Sequence, residues 1–319
     1  MRPAMSTKNA MAARLDNRLS AVLLSLRNLW FPFLFLLPAA TFLIIFMVYP
    51  MIDAILLSLK RWDGVTPAVW VGLRNYRLLI EDRVFWEAMK NTIYFAGATV
   101  LLQSTIPLLV ANLINTGIRG SAIFRGIFFL PVIISLTITG LLWSMILEPN
   151  FGVLNEMLRD VGLEGWTRLW LADRQLVIPS VIMVSVWQSL GFYLVIYFAA
   201  LQSIPEDLYE AASMDGANAW HRFRHVTVPM LRGTIIVVVV LNTINGLKAF
   251  DQIWVMTAGG PNHASETLGT YLYRTAFGAM GSSNPQLGYA TAIAILILVA
   301  SFAFSVIQIR VGQLREVEL

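Results

Sequence analysis

An all-α integral membrane protein of about six transmembrane helices is the fold this sequence predicts, and three observations predict it. Hydrophobic residues make up 57% of the chain and charged residues only 13%, about half the share of an ordinary soluble domain. Mean hydropathy is +0.67. Six stretches are each apolar over about the 20 residues that a helix needs to cross a bilayer. A soluble fold of 319 residues would need a charged surface, and this chain has too little charge to cover itself. Lipid is therefore the solvent for most of it.

The stretches are 31–59, 88–113, 122–147, 175–201, 230–256 and 287–311. Pro32, Pro38 and Pro50 are expected to bend the first, because proline breaks the helical hydrogen-bond ladder. The second and fifth are less apolar, with Asn91 and Gln103 in one and Asn242, Asn245, Lys248 and Asp251 in the other. Residues 1–30 read as a cytoplasmic tail whose segment 21–30 is an amphipathic lead-in at the membrane surface. Arg14 and Arg18 interrupt this tail and no small-residue cleavage site follows a short apolar core, so it is not read as a secretory signal. Residues 31–311 are expected to form one six-helix domain and 312–319 a second cytoplasmic tail.

An even span count puts both termini on one side. Placing them inside leaves twelve Lys and Arg in cytoplasmic segments against ten outside, a slight positive-inside excess. The net charge of +4 suits basic loops better than a nucleic-acid face. The chain has no cysteine, which excludes disulfides, thiolate metal sites and thiol nucleophiles. Segments 60–87 and 148–174 then face outward and are long enough for short surface helices. Segment 257–286, opened by the turn signal at Gly259, Gly260, Pro261 and Asn262, faces outward too.

The cytoplasmic segment 204–229 reads IPEDLYEAASMDGANAWHRFRHVTVP. Pro205 suits a first helical position, and Glu206 and Asp207 meet the positive end of the helix dipole. The helix is expected to run through Leu208, Tyr209, Glu210, Ala211, Ala212 and Met214 and to stop at Gly216, beside Asp215. A second short helix is expected near Asn218, ending before Pro229. Ala211 and Ala212 permit close approach of a partner, with Glu210 available to an arginine. The plainer alternative is a solvated loop whose charges keep it out of the bilayer. His221 and His225, four apart, lack an evident third metal ligand and read as surface groups of this elbow.

The segment resembles the EAA loop of binding-protein-dependent ABC importer permeases, in which Glu-Ala-Ala is followed by three residues, a Gly, and a run ending Ile-x-Leu-Pro. Glu210, Ala211, Ala212, Gly216 and Pro229 match in spacing, and Val226 and Val228 replace the usual Ile and Leu. VGLRNYRLL from Val71, NTIYFA from Asn91, FRGIFFLPVI from Phe124, FGVLNEML from Phe151 and KAFDQIWVMTAGGP from Lys248 resemble, in order, the carbohydrate-uptake branch. The resemblance implies a type I importer permease core in a bacterial cytoplasmic membrane, importing a sugar or polyol. It implies a coupling helix that docks on a cytoplasmic ATPase, with Glu210 in an ion pair, Gly216 at the turn, and Leu208, Tyr209 and Met214 in apolar contact. The partners it implies are a second, similar permease, two ATPase copies and an external solute-binding protein. No cofactor is expected on this chain. It has no Gly-x-x-x-x-Gly-Lys-Ser/Thr sequence, the usual phosphate cradle, so ATP and Mg²⁺ are expected on the partner ATPase.

Polar residues inside the bilayer are costly and so are candidates for the substrate path. Asn242, Asn245 and Gln188 are placed to bond sugar hydroxyls, and Trp187, Phe192, Tyr193 or Phe250 to stack on a sugar ring. Lys248 and Asp251, three apart, can pair on one helix face. Alternatively that pair is structural and the asparagines join neighbouring helices. Two rivals stand beside the importer: an ion-gradient-driven transporter using Asp251 and Lys248 as a relay, and a membrane-embedded enzyme subunit, for which no catalytic cluster is evident.

Overall fold

The computed structural model describes residues 34–115, 120–278 and 285–313. The tail expected at 1–30 lies outside these residues, as does most of the tail expected at 312–319. Helix α1 (Leu34–Ser58) is a 25-residue apolar helix that widens over Ile44–Val48. The widened turn ends two residues before Pro50, whose ring would otherwise collide with the carbonyl four residues back. The same arrangement recurs over Phe223–Thr227, ahead of Pro229.

Residues 57–319 form a second body. It opens on a hairpin of β1 (Lys60–Arg61) and β2 (Val69–Trp70), followed by α2 (Arg74–Glu81). Asn75 donates to the carbonyls of Ser58 and Lys60 at 2.7 and 2.9 Å, which locks the hairpin to α2. Asp82 then caps α3 (Arg83–Asn115) by accepting from the Val84 amide at 2.8 Å. The remaining elements are α4 (Ser121–Ile133), α5 (Leu136–Ile146), α6 (Val153–Asp160) and α7 (Val177–Leu201). After them come α8 (Glu206–Met214), α9 (Ala219–Met230), α10 (Arg232–Leu247), α11 (Asp251–Thr257), α12 (Leu268–Phe277) and α13 (Leu287–Gln313).

Four of these helices are long and apolar enough to cross a membrane, or up to six spans if each bent pair counts as one. The third expected span, 122–147, is two helices meeting at 96°. Pro131 weakens the end of α4, Ile134 is extended, and the Ser135 hydroxyl accepts from the Ile138 amide to start α5. The fifth, 230–256, breaks at Lys248–Phe250, where Phe250 leaves helical geometry at φ −140° and ψ −65°. The second elbow helix does not end before Pro229. The widened turn accommodates that proline, and the chain runs to Met230 before bending 72° into α10. Segment 257–286, expected as an outward loop, contains α12, begun by a capping box between Thr267 and Thr270.

The helices pack in two tiers. Phe95 of α3 meets Val177, Val181 and Val184 of α7 and Ile253 of α11 in one cluster. Leu108 and Ala111 meet Tyr193, Leu194 and Tyr197 of α7 and Val238 of α10 in the other. This register makes α3 and α7 parallel and α10 antiparallel to both. Small residues bring backbones together, as membrane packing requires: Gly191 lies against the Phe128 carbonyl of α4, and Gly246 against Ala96 of α3. A third cluster ties α2 and α3 to α12 and α13 through Leu79, Phe85, Leu268 and Ile293. The segment before α12 is pinned by Asn91, whose amide nitrogen donates to the carbonyls of Ala264 and Glu266 at 3.1 and 2.9 Å. Fully buried Glu266 pairs there with Arg274 at 3.0 Å and contacts His263 at 2.8 Å.

Candidate functional site

A cavity of about 370 Å³ opens where the break between α10 and α11 faces α3 and α7. Helix geometry builds its walls. Phe95, Thr99 and Gln103 recur every four residues on one face of α3, as Ser185, Ser189 and Tyr193 do on α7. Gln103 donates to the Ser185 hydroxyl at 3.1 Å across the wall. The broken segment contributes Asn245, Lys248, Phe250, Asp251 and Gln252.

Six of the nine residues expected on the substrate path line this cavity: Gln188, Tyr193, Asn245, Lys248, Phe250 and Asp251. Three do not. Trp187 packs edge-on against Trp143 at 5.4 Å, Phe192 is exposed and meets the Tyr193 ring edge-on at 5.2 Å, and Asn242 is buried with both side-chain polar atoms unpaired. Lys248 and Asp251 form no ion pair, because the helix that would have carried both on one face ends at Leu247. Phe250 also stacks on Trp254 at 5.9 Å and meets Tyr273 at a tilt at 5.0 Å. The sequence reading missed Thr99, Gln103, Ser185, Ser189 and Gln252, although the four-residue spacing of polar groups in apolar helices could have found the first four.

Two amides give the cavity unused hydrogen-bonding capacity. Gln188 donates to the Ile134 carbonyl at 3.0 Å, but its side-chain oxygen has no partner, and neither has the side-chain nitrogen of Gln252. Both side chains are over nine-tenths buried. An acceptor and a donor left unpaired at such depth are costly, and a ligand hydroxyl, which both donates and accepts, satisfies either.

The other candidate region is the elbow at the far end of α3. Helix α8 ends in paired backbone bonds, Ala217 to Ala212 at 2.9 Å and Gly216 to Ser213 at 3.0 Å, with Gly216 left-handed at φ +80°. Asn218 then caps α9 by accepting from the His221 amide at 2.9 Å. Leu208, Glu210, Ala211, Met214, Asp215 and Gly216 are exposed, and Met214 is 89% exposed. Ala212 is half-buried, and so is Tyr209, whose hydroxyl bonds the Thr227 hydroxyl at 3.0 Å. Tyr209 therefore ties the two elbow helices together through its hydroxyl. Arg222 adds a second tie, donating to the Ser213 hydroxyl at 3.0 Å. His221 and His225 stack at 5.8 Å, and among the described residues no three metal-ligating side chains converge.

Comparison with known proteins gives one answer from three directions. Residues 103–314 match the family described as binding-protein-dependent transport system inner membrane component. The chain is 38% identical to the probable ABC transporter permease protein YurN of Bacillus subtilis (strain 168), over 89% of this chain and 96% of that one. It is 33% identical to the probable starch degradation products transport system permease AmyD of Thermoanaerobacterium thermosulfurigenes, over 92% and 97%. Its fold superposes with a TM-score of 0.78 and 27% identity on a bacterial ABC transporter involved in the import of the acidic polysaccharide alginate, covering 92% of this chain and 98% of that one. It also superposes on a bacterial alginate ABC transporter solved in complex with an alginate pentasaccharide-bound periplasmic protein, with a TM-score of 0.76 and 26% identity over 89% of this chain and 94% of that one.

Proposed function

Because the chain belongs to the family of binding-protein-dependent inner membrane transport components, a multi-pass ABC permease without an ATPase site of its own, we propose that it carries a sugar or related polyol through the cavity at the α10–α11 break. The unpaired amide atoms of Gln188 and Gln252 carry this reading, since a polyhydroxylated solute supplies the donors and acceptors they lack. The sugar and starch-product substrates named for its relatives support the same class. Lys248 and Asp251 both line the cavity and balance in charge, which suits a neutral solute.

Energy enters through the elbow. Two cytoplasmic ATPase copies hold ATP and Mg²⁺, one docked on the exposed face of α8 with Glu210 in an ion pair, the other on a second, similar permease. An external solute-binding protein delivers the sugar, and both termini lie in the cytoplasm. The ties through Tyr209 and Arg222 make the elbow stiff, and buried Leu231 joins it to α10. Closure of the ATPases thus moves α10, which ends at Leu247, and reshapes the cavity wall.

Sugar uptake into proteoliposomes holding the assembled complex tests this. Gln252→Leu is expected to lower uptake about tenfold, the scale of one lost hydrogen bond in a buried site, while Trp187→Phe, outside the cavity, leaves it within twofold. Uptake unaffected by Gln252→Leu overturns the cavity assignment. Uptake that collapses with a proton or sodium gradient at constant ATP overturns the ATP-driven reading.

A further inference from the structure

We infer that the cleft between the hairpin and α2 receives a carboxylate from the surface of the solute-binding protein, with Arg61 and Arg74 as its two grips. The inference rests on the proposal that such a protein delivers the solute. The cleft has a volume of about 270 Å³, and Arg61, Trp62, Asp63, Arg74 and Asn75 are among its walls. Both arginines are exposed, and neither joins an ion pair among the described residues. Of the other arginines in these outward segments, Arg83 pairs with Glu87 at 3.2 Å, Arg159 with Glu156 at 2.6 Å and Arg274 with Glu266 at 3.0 Å, while Arg77 and Arg168, which join no ion pair among the described residues, do not line the cleft.

Asp63, the one acid on the wall, is committed to its own turn. One of its oxygens accepts from the amides of Val65 and Thr66 and from the Thr66 hydroxyl, at 2.9, 2.8 and 2.9 Å. Two guanidinium charges thus stand against one engaged carboxylate. Arg74 also opens α2 with no acid in its first turn, so its charge sits at the unfavourable end of the helix dipole. A local rule broken without internal compensation is what a binding function leaves behind.

The cleft is held in shape from both sides. Asn75 bonds the Ser58 and Lys60 carbonyls, and the Gly288 amide of α13 donates to the Trp62 carbonyl at 3.3 Å. Its position suits an external protein. Helix α3 starts beside α2 and runs 33 residues, about 50 Å at 1.5 Å per residue, before reaching the elbow, so the cleft and the ATPase-coupling face lie at opposite ends. Guanidinium forks match carboxylates in a bidentate geometry, and an exposed charged rim steers association between proteins. The cavity, with Lys248 offset by Asp251, gives no sign that an acidic solute supplies the carboxylate instead.

The test measures ATP hydrolysis by the assembled complex in vesicles of zwitterionic phosphatidylcholine, which excludes anionic lipid headgroups as rival ligands. The solute-binding protein purified from the same host is titrated in, loaded in turn with neutral and acidic sugars. For Arg61→Glu with Arg74→Glu, the concentration giving half-maximal stimulation is expected to rise at least about tenfold with maximal turnover held, the signature of a rim charge. The shift should shrink at high salt, and the Arg→Lys pair, which keeps the charge but not the fork, should restore only part of the affinity. A half-maximal concentration that does not move, while the unmodified complex is still stimulated, overturns the inference and leaves the proposed function standing. A shift seen only with acidic sugar assigns the carboxylate to the solute and overturns it too. An unmodified complex that the solute-binding protein does not stimulate overturns both.

Discussion

The side-chain amide of Gln188 donates to the carbonyl of Ile134 at 3.0 Å, so that α7 holds the break between α4 and α5 from across the bundle. Gln188→Leu leaves that carbonyl without its partner in a half-buried place. We expect a loss of about 1–3 kcal/mol, the cost of a buried group left unsatisfied, read as a lower midpoint in thermal melts of the detergent-solubilised protein. Gln188→Glu keeps the size but removes both donors, so it should melt no later than the leucine variant. A midpoint unchanged in both would mean that the break stands without Gln188.

Helix contact makes two glycines behave differently. A Cβ at Gly191 would overlap the Phe128 carbonyl of α4, and backbone cannot step aside as a side chain can. Gly191→Ala should therefore cost about 1–3 kcal/mol through overpacking. At Gly97 a Cβ meets nothing within 4 Å, and Gly97→Ala should be neutral or stabilising by up to about 1 kcal/mol from helix propensity alone. Parallel melts of the two variants decide it, since equal effects would remove the packing explanation.

Length and apolarity alone were enough to find the helices that cross a membrane, because the bilayer demands both. The 96° break escaped hydropathy, since Pro131, Ile134 and Ser135 leave the average of their stretch nearly unchanged. The elbow was legible because its signals are local: Pro205, Gly216 and Asn218 each act on their own turn. Pro229 misled because the widened turn before it relieves a clash that sequence rules treat as a stop. In the cavity, Asn242 and Asn245 look alike in sequence and stand only about 60° apart around the helix, yet Asn245 lines the space and Asn242, nearly a turn earlier, is buried outside it. Thr99 and Ser189 drew no notice because their hydroxyls bond carbonyls of their own helices, Phe95 at 2.8 Å and Ser185 at 2.8 Å.

Glu210 and Tyr209 are neighbours on α8 with opposite surroundings. Glu210 is exposed and makes no ion pair among the described residues, so Glu210→Lys should leave the melting midpoint in place. ATP-driven uptake should fall at least about tenfold, as reversing one partner of a buried interfacial ion pair costs several kcal/mol. Tyr209→Phe removes the bond to Thr227 and should instead lower stability by about 1 kcal/mol. Normal uptake by the lysine variant at normal expression would sink the coupling role of Glu210.

Acid should loosen, through Asp82, the end of the bundle at which α3 begins. Partial burial opposes its charge, but hydroxyls of Tyr271 and Tyr289 and the amides of Phe85 and Val84 outweigh that and hold its carboxyl below the ordinary value. The Tyr289 bond is 2.6 Å, and the two tyrosines stand on α12 and α13, so one carboxylate joins three helices. A carboxyl depressed in the folded state contributes stability that is fully present above its unfolded value, about pH 3.9. That contribution is lost as pH falls through the lower folded value. The melting midpoint of the unmodified protein should therefore fall more steeply than that of Asp82→Asn once the pH drops below about 4. The asparagine variant, which keeps one acceptor oxygen but no charge, should melt earlier at pH 7, and the gap between the two should close in acid. A gap that stays constant from pH 7 to pH 3 would assign the acid sensitivity to other carboxylates.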